Sequence, residues 1–344
     1  MVVHAALPGW TYTAPRWLPG GHVQTIWPAL LARRVAGAPV AYRRERWDTP
    51  DGDFIDVDWL DGGDAAQPAG APPRPLLVLF HGLEGSSRSH YAEAFAGWAR
   101  AQGLAFAVPH FRGCSGTINW APRAYHCGDW AEVGWLLQRF HAHQQAAGGG
   151  PVVAVGVSLG GNALLRWAGE VGGDATRSVQ AVAAVCAPLD MAAGGHAIGR
   201  GFNRQVYTRM FLRTMKVKAH AKLVQHPGLF DADRLAAARD LYAFDDVFTA
   251  PLHGFAGVED YWQRGSAKPW LGNVGVPALL LNARNDPFVP ADSLPRPSQV
   301  SRHVTLWQPA QGGHVGFCAG APPGHVLRLP QAVGGWLLRA AGGL

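Results

Sequence analysis

Cysteine is scarce in this chain, and the four cysteines lie far apart. They are Cys114, Cys127, Cys186 and Cys318 of 344 residues, and no Cys-x-x-Cys pair occurs. Zinc sites and disulfide frameworks depend on cysteines at close or regular spacings. The spacing therefore predicts scattered, reduced thiols, with no metal site and no disulfide scaffold.

Signals for export and for membrane insertion are also missing. The first residues, Met-Val-Val-His-Ala-Ala-Leu-Pro, contain neither the basic start nor the apolar run of a signal peptide. The longest apolar stretches, such as residues 179–189, fall far short of the about 20 residues that a membrane-spanning helix needs. These absences predict a soluble protein of the cytoplasm.

Long blocks of lysine or arginine are absent as well, although the formal net charge is +6 at pH 7. A positive net charge favours binding to anionic surfaces in general. Proteins that bind nucleic acid usually concentrate it in a basic block or a recognisable module, and this sequence has neither. We therefore expect no nucleic-acid partner.

What the chain does contain is apolar sequence in short runs. A length of 344 residues with 48% hydrophobic residues suits one α/β domain with an insertion. Nearly continuous apolar runs, typical of parallel strands covered on both faces, occupy residues 76–80, 104–108, 152–157, 179–186 and 278–282. Helix-like segments separate them at residues 90–102, 129–143 and 159–171. This alternation predicts a mostly parallel, doubly wound central sheet with helices on both faces.

The remaining segments frame this sheet. Residues 43–47 and 54–60 are predicted to form a leading hairpin, residues 62–75 a surface loop, and residues 303–307 the last strand. From about residue 190 to 262 the alternation stops, which predicts a mainly helical insertion that covers the sheet as a lid. Its best helix, near residues 202–217, places four apolar residues near one face, where they either pack on the core or touch an acyl chain: Phe202, Val206, Met210 and Val217.

One motif indicates chemistry. Gly156-Val157-Ser158-Leu159-Gly160 stands between a predicted strand and a predicted helix. A serine with small neighbours at such a sharp turn is typical of a nucleophile elbow, which lifts the hydroxyl above the sheet edge. The motif predicts Ser158 as the attacking group of a hydrolase.

A serine nucleophile needs a base and an acid, and both should follow it in the chain. Asp286 directly follows the strand predicted at residues 278–282, a position that Asp245, Asp246, Asp260 and Asp292 lack. Three histidines come after Asp286, of which His303 opens the last strand and His325 lies in a Pro/Gly-rich segment. We therefore predict Asp286 as the acid and His314, in a glycine-rich loop after that strand, as the base.

Two backbone amides should stabilise the oxyanion of the tetrahedral intermediate. The residue after the nucleophile, Leu159, is predicted to supply one, and Leu83 in His81-Gly82-Leu83-Glu84-Gly85-Ser86 the other, with Glu84 as an alternative donor. His81 is an alternative general base and Arg112 an alternative pocket residue, but we interpret both as residues that brace neighbouring loops. Cys318 lies near His314, but Ser158 has the better setting for a nucleophile.

Beyond the elbow, several longer motifs resemble the YheT-like branch of the α/β-hydrolase superfamily, which includes bacterial YheT-type esterases, plant EMB8-type and animal ABHD-type homologues. They cover nearly the whole chain, and the first and third are far more specific than the elbow. The motifs are Gly-His-Val-Gln-Thr-Ile at residues 21–26, His-Gly-Leu-Glu-Gly-Ser at 81–86, Phe-Arg-Gly-Cys-Ser-Gly at 111–116, Gly-Val-Ser-Leu-Gly-Gly-Asn at 156–162, Asn-Asp-Pro-Phe at 285–288 and Gly-His at 313–314.

The resemblance implies an α/β-hydrolase fold and a serine carboxylic-ester hydrolase that uses Ser158, Asp286 and His314 without a metal or organic cofactor. Substrates of the family include short-chain esters, monoacylglycerols and phospholipids, and some members transfer the acyl group to an alcohol. Acyl transfer is thus the alternative function, and a non-catalytic binding protein on this fold is a further one. The amino-terminal membrane anchor of the animal members is missing, which argues against a membrane-lipid substrate. Peripheral membrane contact stays open. Residues 8–35 are interpreted as a strap beside a single domain.

Overall fold

The computed structural model describes residues 11–61 and 74–342, and within them eight strands form one sheet. The strands are β1 (Tyr42–Asp48), β2 (Phe54–Leu60), β3 (Leu76–Phe80), β4 (Ala105–Pro109), β5 (Val152–Val157), β6 (Ala181–Val185), β7 (Ala278–Leu281) and β8 (Val304–Trp307). Their order across the sheet is β1-β2-β4-β3-β5-β6-β7-β8. The pairs β1 with β2 and β2 with β4 are antiparallel, and all other pairs are parallel.

Twelve α-helices lie within the described residues, and seven of them fall between β6 and β7 in the chain. They are α1 (Gly20–Leu30), α2 (His90–Ala101), α3 (Trp130–Ala146), α4 (Leu159–Val171), α5 (Met191–Ile198), α6 (Gly201–Asn203), α7 (Arg209–Gln225), α8 (Ala232–Ala237), α9 (Leu241–Phe244), α10 (Ala250–Leu252), α11 (Val258–Gly265) and α12 (Arg328–Ala340). Single π-helical turns join α6 to α7 at Arg204–Thr208 and α9 to α10 at Asp245–Thr249. No helix in the described residues is long and apolar enough to cross a bilayer.

The predicted fold class is confirmed, and each predicted strand is found within two residues at its ends. Alternate side chains of a strand point to opposite faces, so each apolar run serves two cores. In β3, Leu76, Val78 and Phe80 belong to the core beneath α3 and α4, whereas Leu77 and Leu79 belong to the core beneath α2 and α12. Of the predicted surface loop at residues 62–75, residues 62–73 lie outside the described part.

The interpretation of the helix near residues 202–217 is wrong in its orientation. The four apolar residues of the predicted inward face are 38 to 68% exposed: Phe202, Val206, Met210 and Val217. The opposite face is buried, and there Leu212 and Met215 belong to the same cluster as Phe244 and Phe248. Both sides of this helix carry apolar residues. Packing against the helices that follow it therefore decides which side is buried.

Candidate active site

Ser158 occupies the sharp turn between β5 and α4. Its backbone has φ 52° and ψ −120°, a region that non-glycine residues rarely adopt, and its amide donates a hydrogen bond of 2.8 Å to the carbonyl of Val185. The hydroxyl is therefore held at the carboxyl edge of the sheet, above the end of β5.

The glycine after the elbow permits the close approach of α4 to the neighbouring strand. A Cβ atom on Gly160 would lie 2.5 Å from the carbonyl oxygens of both Phe80 and His81. These two residues end β3 and begin the loop that carries Leu83. Glycine at this position thus brings Ser158 and that loop together.

The structure brings His314 and Asp286 to Ser158. His314 Nε2 lies 3.0 Å from Ser158 Oγ, and His314 Nδ1 lies 2.8 Å from Asp286 Oδ2. A carboxylate oxygen can only accept a hydrogen bond, so Nδ1 carries the proton of the neutral imidazole. Nε2 is then free to accept a hydrogen bond from the Ser158 hydroxyl. The side chain of Asp286 is 0% exposed, and its other oxygen accepts hydrogen bonds from the amides of Phe288 and Val289 at 2.8 and 3.3 Å.

The geometry also distinguishes the two candidate amides of the loop after β3. The amide of Glu84 donates to Tyr125 Oη at 3.0 Å, and the Tyr125 hydroxyl donates in turn to the Glu84 carboxylate. The amide of Leu83 has no hydrogen-bond partner among the described residues, and both Leu83 and Leu159 line the same cavity as Ser158. The free amide favours Leu83 over Glu84 as an oxyanion donor.

His81 and Arg112 are fully engaged elsewhere. His81 Nε2 accepts a hydrogen bond from the amide of Phe111, Nδ1 donates to the carbonyl of Gly82, and burial lowers its pKa to about 3. Arg112 is buried in ion pairs with Asp51, Asp53 and Glu132. Both residues hold loops together at the sheet edge.

The amino-terminal helix α1 contacts the loops of the acid and the base, a connection that the sequence reasoning missed. Gln24 Oε1 accepts hydrogen bonds from Asn285 Nδ2 at 2.9 Å and from the amide of Gly312 at 3.0 Å. Thr25 Oγ1 accepts one from the amide of His314 at 2.8 Å. The polar residues within the motif at residues 21–26 were the only available signal. They link two loops that lie about 260 to 290 residues away in sequence.

Replacement of Gln24 by alanine is expected to lower kcat by about 10- to 100-fold, because two hydrogen bonds near charged or catalytic groups are lost and the bracing of both loops with them. Steady-state kinetics on a short-chain ester should show this loss in kcat with little change in KM. Gln144→Ala is the matched control, since Gln144 is also buried and donates to a carbonyl far from Ser158. Equal kcat values for the two variants would contradict the positioning role.

A thiol lies beside the acid and base. Ligand atoms of Cys186, Asp286 and His314 fall within 4.8 Å of one another, the one group of this kind in the described residues. Zinc binds the thiolate form of cysteine. Burial and the charge of Asp286 raise the pKa of Cys186 well above its ordinary value, and its sulfur accepts a hydrogen bond from the amide of Val315. This donor set suits a structural thiol better than a metal ligand.

Ser158 opens into an apolar cavity of about 80 Å³. Helices of the segment between β6 and β7 form much of its wall. Side chains that line it include Met191, Ile198, Phe211, Leu241, Trp262 and Phe288. A cavity with this lining can hold a short hydrocarbon group next to the serine hydroxyl.

Comparisons with known proteins agree with the fold and with the family that the sequence resembles. The α/β hydrolase fold family matches residues 75–321. "Putative esterase YheT" of Escherichia coli (strain K12) is 37% identical over 92% of this chain and 89% of its own length. "Phospholipase ABHD3" of Mus musculus is 29% identical over 91% of this chain and 74% of its own length. A puromycin-hydrolyzing peptidase of Mycobacterium tuberculosis, 17% identical, superimposes with a TM-score of 0.54 over 89% of this chain and 40% of its own. The chain therefore belongs to the α/β-hydrolase fold family and, within it, to the YheT-like branch.

Proposed function

We propose that this protein is a carboxylic-ester hydrolase that works through an acyl-enzyme on Ser158. The observation that carries the proposal is the continuous hydrogen-bonded chain from Ser158 through His314 to Asp286 at the mouth of an apolar cavity. Such a chain activates a hydroxyl that is otherwise a weak nucleophile at neutral pH.

In the first half-reaction, Ser158 Oγ attacks the ester carbonyl carbon while His314 Nε2 takes the hydroxyl proton. The amides of Leu83 and Leu159 donate hydrogen bonds to the oxyanion, and Asp286 stabilises the imidazolium. The bond to the alcohol then breaks, and the alcohol leaves with the proton from His314. Water repeats these steps on the acyl-enzyme, so that a carboxylic acid is released and Ser158 is restored.

The apolar cavity supports a short acyl chain as the group held beside Ser158. The relatives named esterase and phospholipase support carboxylic esters, including lipid esters, as the substrate class. We also propose that residues 190–262 act as a lid over this cavity and that residues 8–35 act as a strap of a single domain, with residues 8–10 outside the described part. The location in the cytoplasm stays a prediction, which cell fractionation would test.

A chain-length series tests the proposed function. The purified protein should hydrolyse p-nitrophenyl butyrate and monobutyrin, and it should act much less on p-nitrophenyl palmitate, because the cavity has room for a short acyl group only. A fluorophosphonate probe should label Ser158 and abolish this activity. Failure to hydrolyse any of these esters, together with failure of labelling, would contradict the proposal.

A further inference from the structure

A second cavity lies against the first and contains charged side chains that the proposed reaction does not use. It has a volume of about 50 Å³ and shares Leu83, Leu159 and Asp245 with the cavity at Ser158. Its lining also includes Lys218 and Lys222 of α7, of which Lys222 is buried and Lys218 is partly exposed. Two lysines thus border a small cavity next to the proposed oxyanion donors.

Lys218 is neutralised within this cavity. Its Nζ lies 2.8 Å from Glu84 Oε1 and 3.2 Å from Cys114 Sγ. Burial raises the pKa of Cys114 to about 11, so its thiol stays uncharged near neutral pH. Lys218 and Glu84 therefore form a pair with no net charge.

Lys222 has no such partner. It is 2% exposed, and its Nζ donates to the backbone carbonyls of Asn119 and Ala121. An ammonium group has three hydrogens. In the described part of the chain no other hydrogen-bond acceptor and no carboxylate within ion-pair distance contacts this Nζ. A buried cation without an anionic partner is costly, and burial lowers its pKa to about 8.

Among the described residues, none of the other charged groups around the cavity forms an ion pair with Lys222. Arg112 also lines the space, but its guanidinium is already paired with three carboxylates. Asp245 accepts hydrogen bonds from the Thr249 hydroxyl and from Trp262 Nε1, and it lies on the wall shared with the first cavity. Asp53 influences Lys222 from a distance, and its carboxylate is occupied by Arg112 and Asn119.

We propose that Lys222 binds a compact anionic group of the ester substrate, a carboxylate or a phosphodiester, in this second cavity. The proposal rests on the proposed ester hydrolysis and names the kind of ester that the site prefers. The ester carbonyl would lie at Ser158 between the two cavities, with a hydrocarbon part in the first and the anionic group at the third hydrogen of the Lys222 ammonium. The small volume admits one compact group and excludes a second long chain.

Matched pairs of charged and neutral esters test the proposal. The ratio of kcat/KM for mono-p-nitrophenyl glutarate to that for p-nitrophenyl pentanoate examines a carboxylate on the acyl side. The same ratio for the methyl phosphodiester of monobutyrin and monobutyrin itself examines an anion on the alcohol side. We expect at least one ratio to fall about 10- to 100-fold in Lys222→Met, the value of a hydrogen bond to a charged group, while the neutral esters react as before.

Lys216→Met is the matched control. Lys216 lies on the same helix and also donates to two backbone carbonyls, those of Ala236 and Ala238, but it lines neither cavity. Its substitution should leave both ratios unchanged. Equal loss on charged and neutral esters in Lys222→Met would show that Lys222 is only structural, and unchanged ratios would equally overturn the proposal. Absence of ester hydrolysis by the unmodified protein would instead contradict the proposed function.

A pH profile of the unmodified protein gives a test that needs no variant. The pKa of Lys222 is about 8, so the charge that attracts the anion is present below this pH and is lost as the pH rises through it. Between pH 7 and pH 9.5 we expect the ratio of charged to neutral kcat/KM to fall. The raised pKa of Asp245, about 6, and the pKa of Cys114, about 11, lie outside this window. The pKa of His126 is lowered to about 4, and the pKa values of Arg112, Tyr125, Tyr261 and Lys218 are raised. A flat ratio would overturn the proposal.

Discussion

Substitution of Ser158 by alanine is expected to reduce kcat for short-chain esters by about 10⁶-fold, the scale of loss when a triad nucleophile is removed. The structure explains why no neighbour replaces it. His314 Nε2 lies 3.0 Å from Ser158 Oγ. The nearby Cys186 thiol donates hydrogen bonds to the carbonyl of Gly313 and to the Asp286 carboxylate, and the pKa of this thiol is raised. The residual rate should come from substrate binding and the oxyanion donors alone.

The measurement is steady-state hydrolysis of p-nitrophenyl butyrate, with fluorophosphonate labelling beside it. Ser293→Ala serves as the control. The Ser293 hydroxyl donates to the carbonyl of Pro290, neither residue lines the cavity at Ser158, and the loss of this hydrogen bond should not alter kcat. Thermal unfolding of Ser158→Ala should match that of the unmodified protein within a few degrees, because alanine keeps the same backbone. Unaltered hydrolysis by folded Ser158→Ala would exclude the acyl-enzyme on this residue.

Replacement of Asp286 by asparagine is expected to lower kcat by about 10⁴-fold with little effect on folding. Asp286 Oδ1 accepts hydrogen bonds from the amides of Phe288 and Val289, so the carbonyl oxygen of asparagine must occupy that position. Its NH₂ group would then face His314 Nδ1 and donate to it. His314 would carry its proton on Nε2, where it can no longer accept the proton of Ser158.

Asp292→Asn is the control for this prediction. Asp292 is an exposed carboxylate a few residues later in the same region of the chain, and its substitution removes the same charge. We expect kcat to remain unchanged in Asp292→Asn. A similar loss in both variants would mean that the overall charge near the site matters, and that the tautomer of His314 does not.

The sheet could be predicted from the sequence because each observed strand lies within two residues, at both ends, of a segment predicted as a strand. The strands predicted at residues 76–80 and 152–157 have the same first and last residues as β3 and β5. Candidate site residues followed from the same pattern, since the carboxyl ends of parallel strands meet at one edge. Ser158, Asp286 and His314 each come after a strand, and the distances between them support their joint role.

Contacts between distant segments could not be predicted in this way. The position of Gln24 against Asn285 and Gly312 depends on where α1 crosses the completed fold. The predicted orientation of the helix near residues 202–217 is wrong because apolar residues lie on both of its sides. Leu212 and Met215 are buried, whereas the four residues of the predicted inward face are exposed. Periodicity alone cannot choose between two apolar sides.

Because α1 braces the loops of the acid and the base, catalytic activity should appear only when the whole chain has folded. All three residues of the proposed triad come from the part of the chain after β5, yet hydrogen bonds from Gln24 and Thr25 hold the loops of the acid and the base. A chain under synthesis exposes residues 24 and 25 long before residue 314 emerges. Its esterase activity would thus report that the first and last parts of the polypeptide have joined, which makes the catalytic rate a sensitive measure of complete folding.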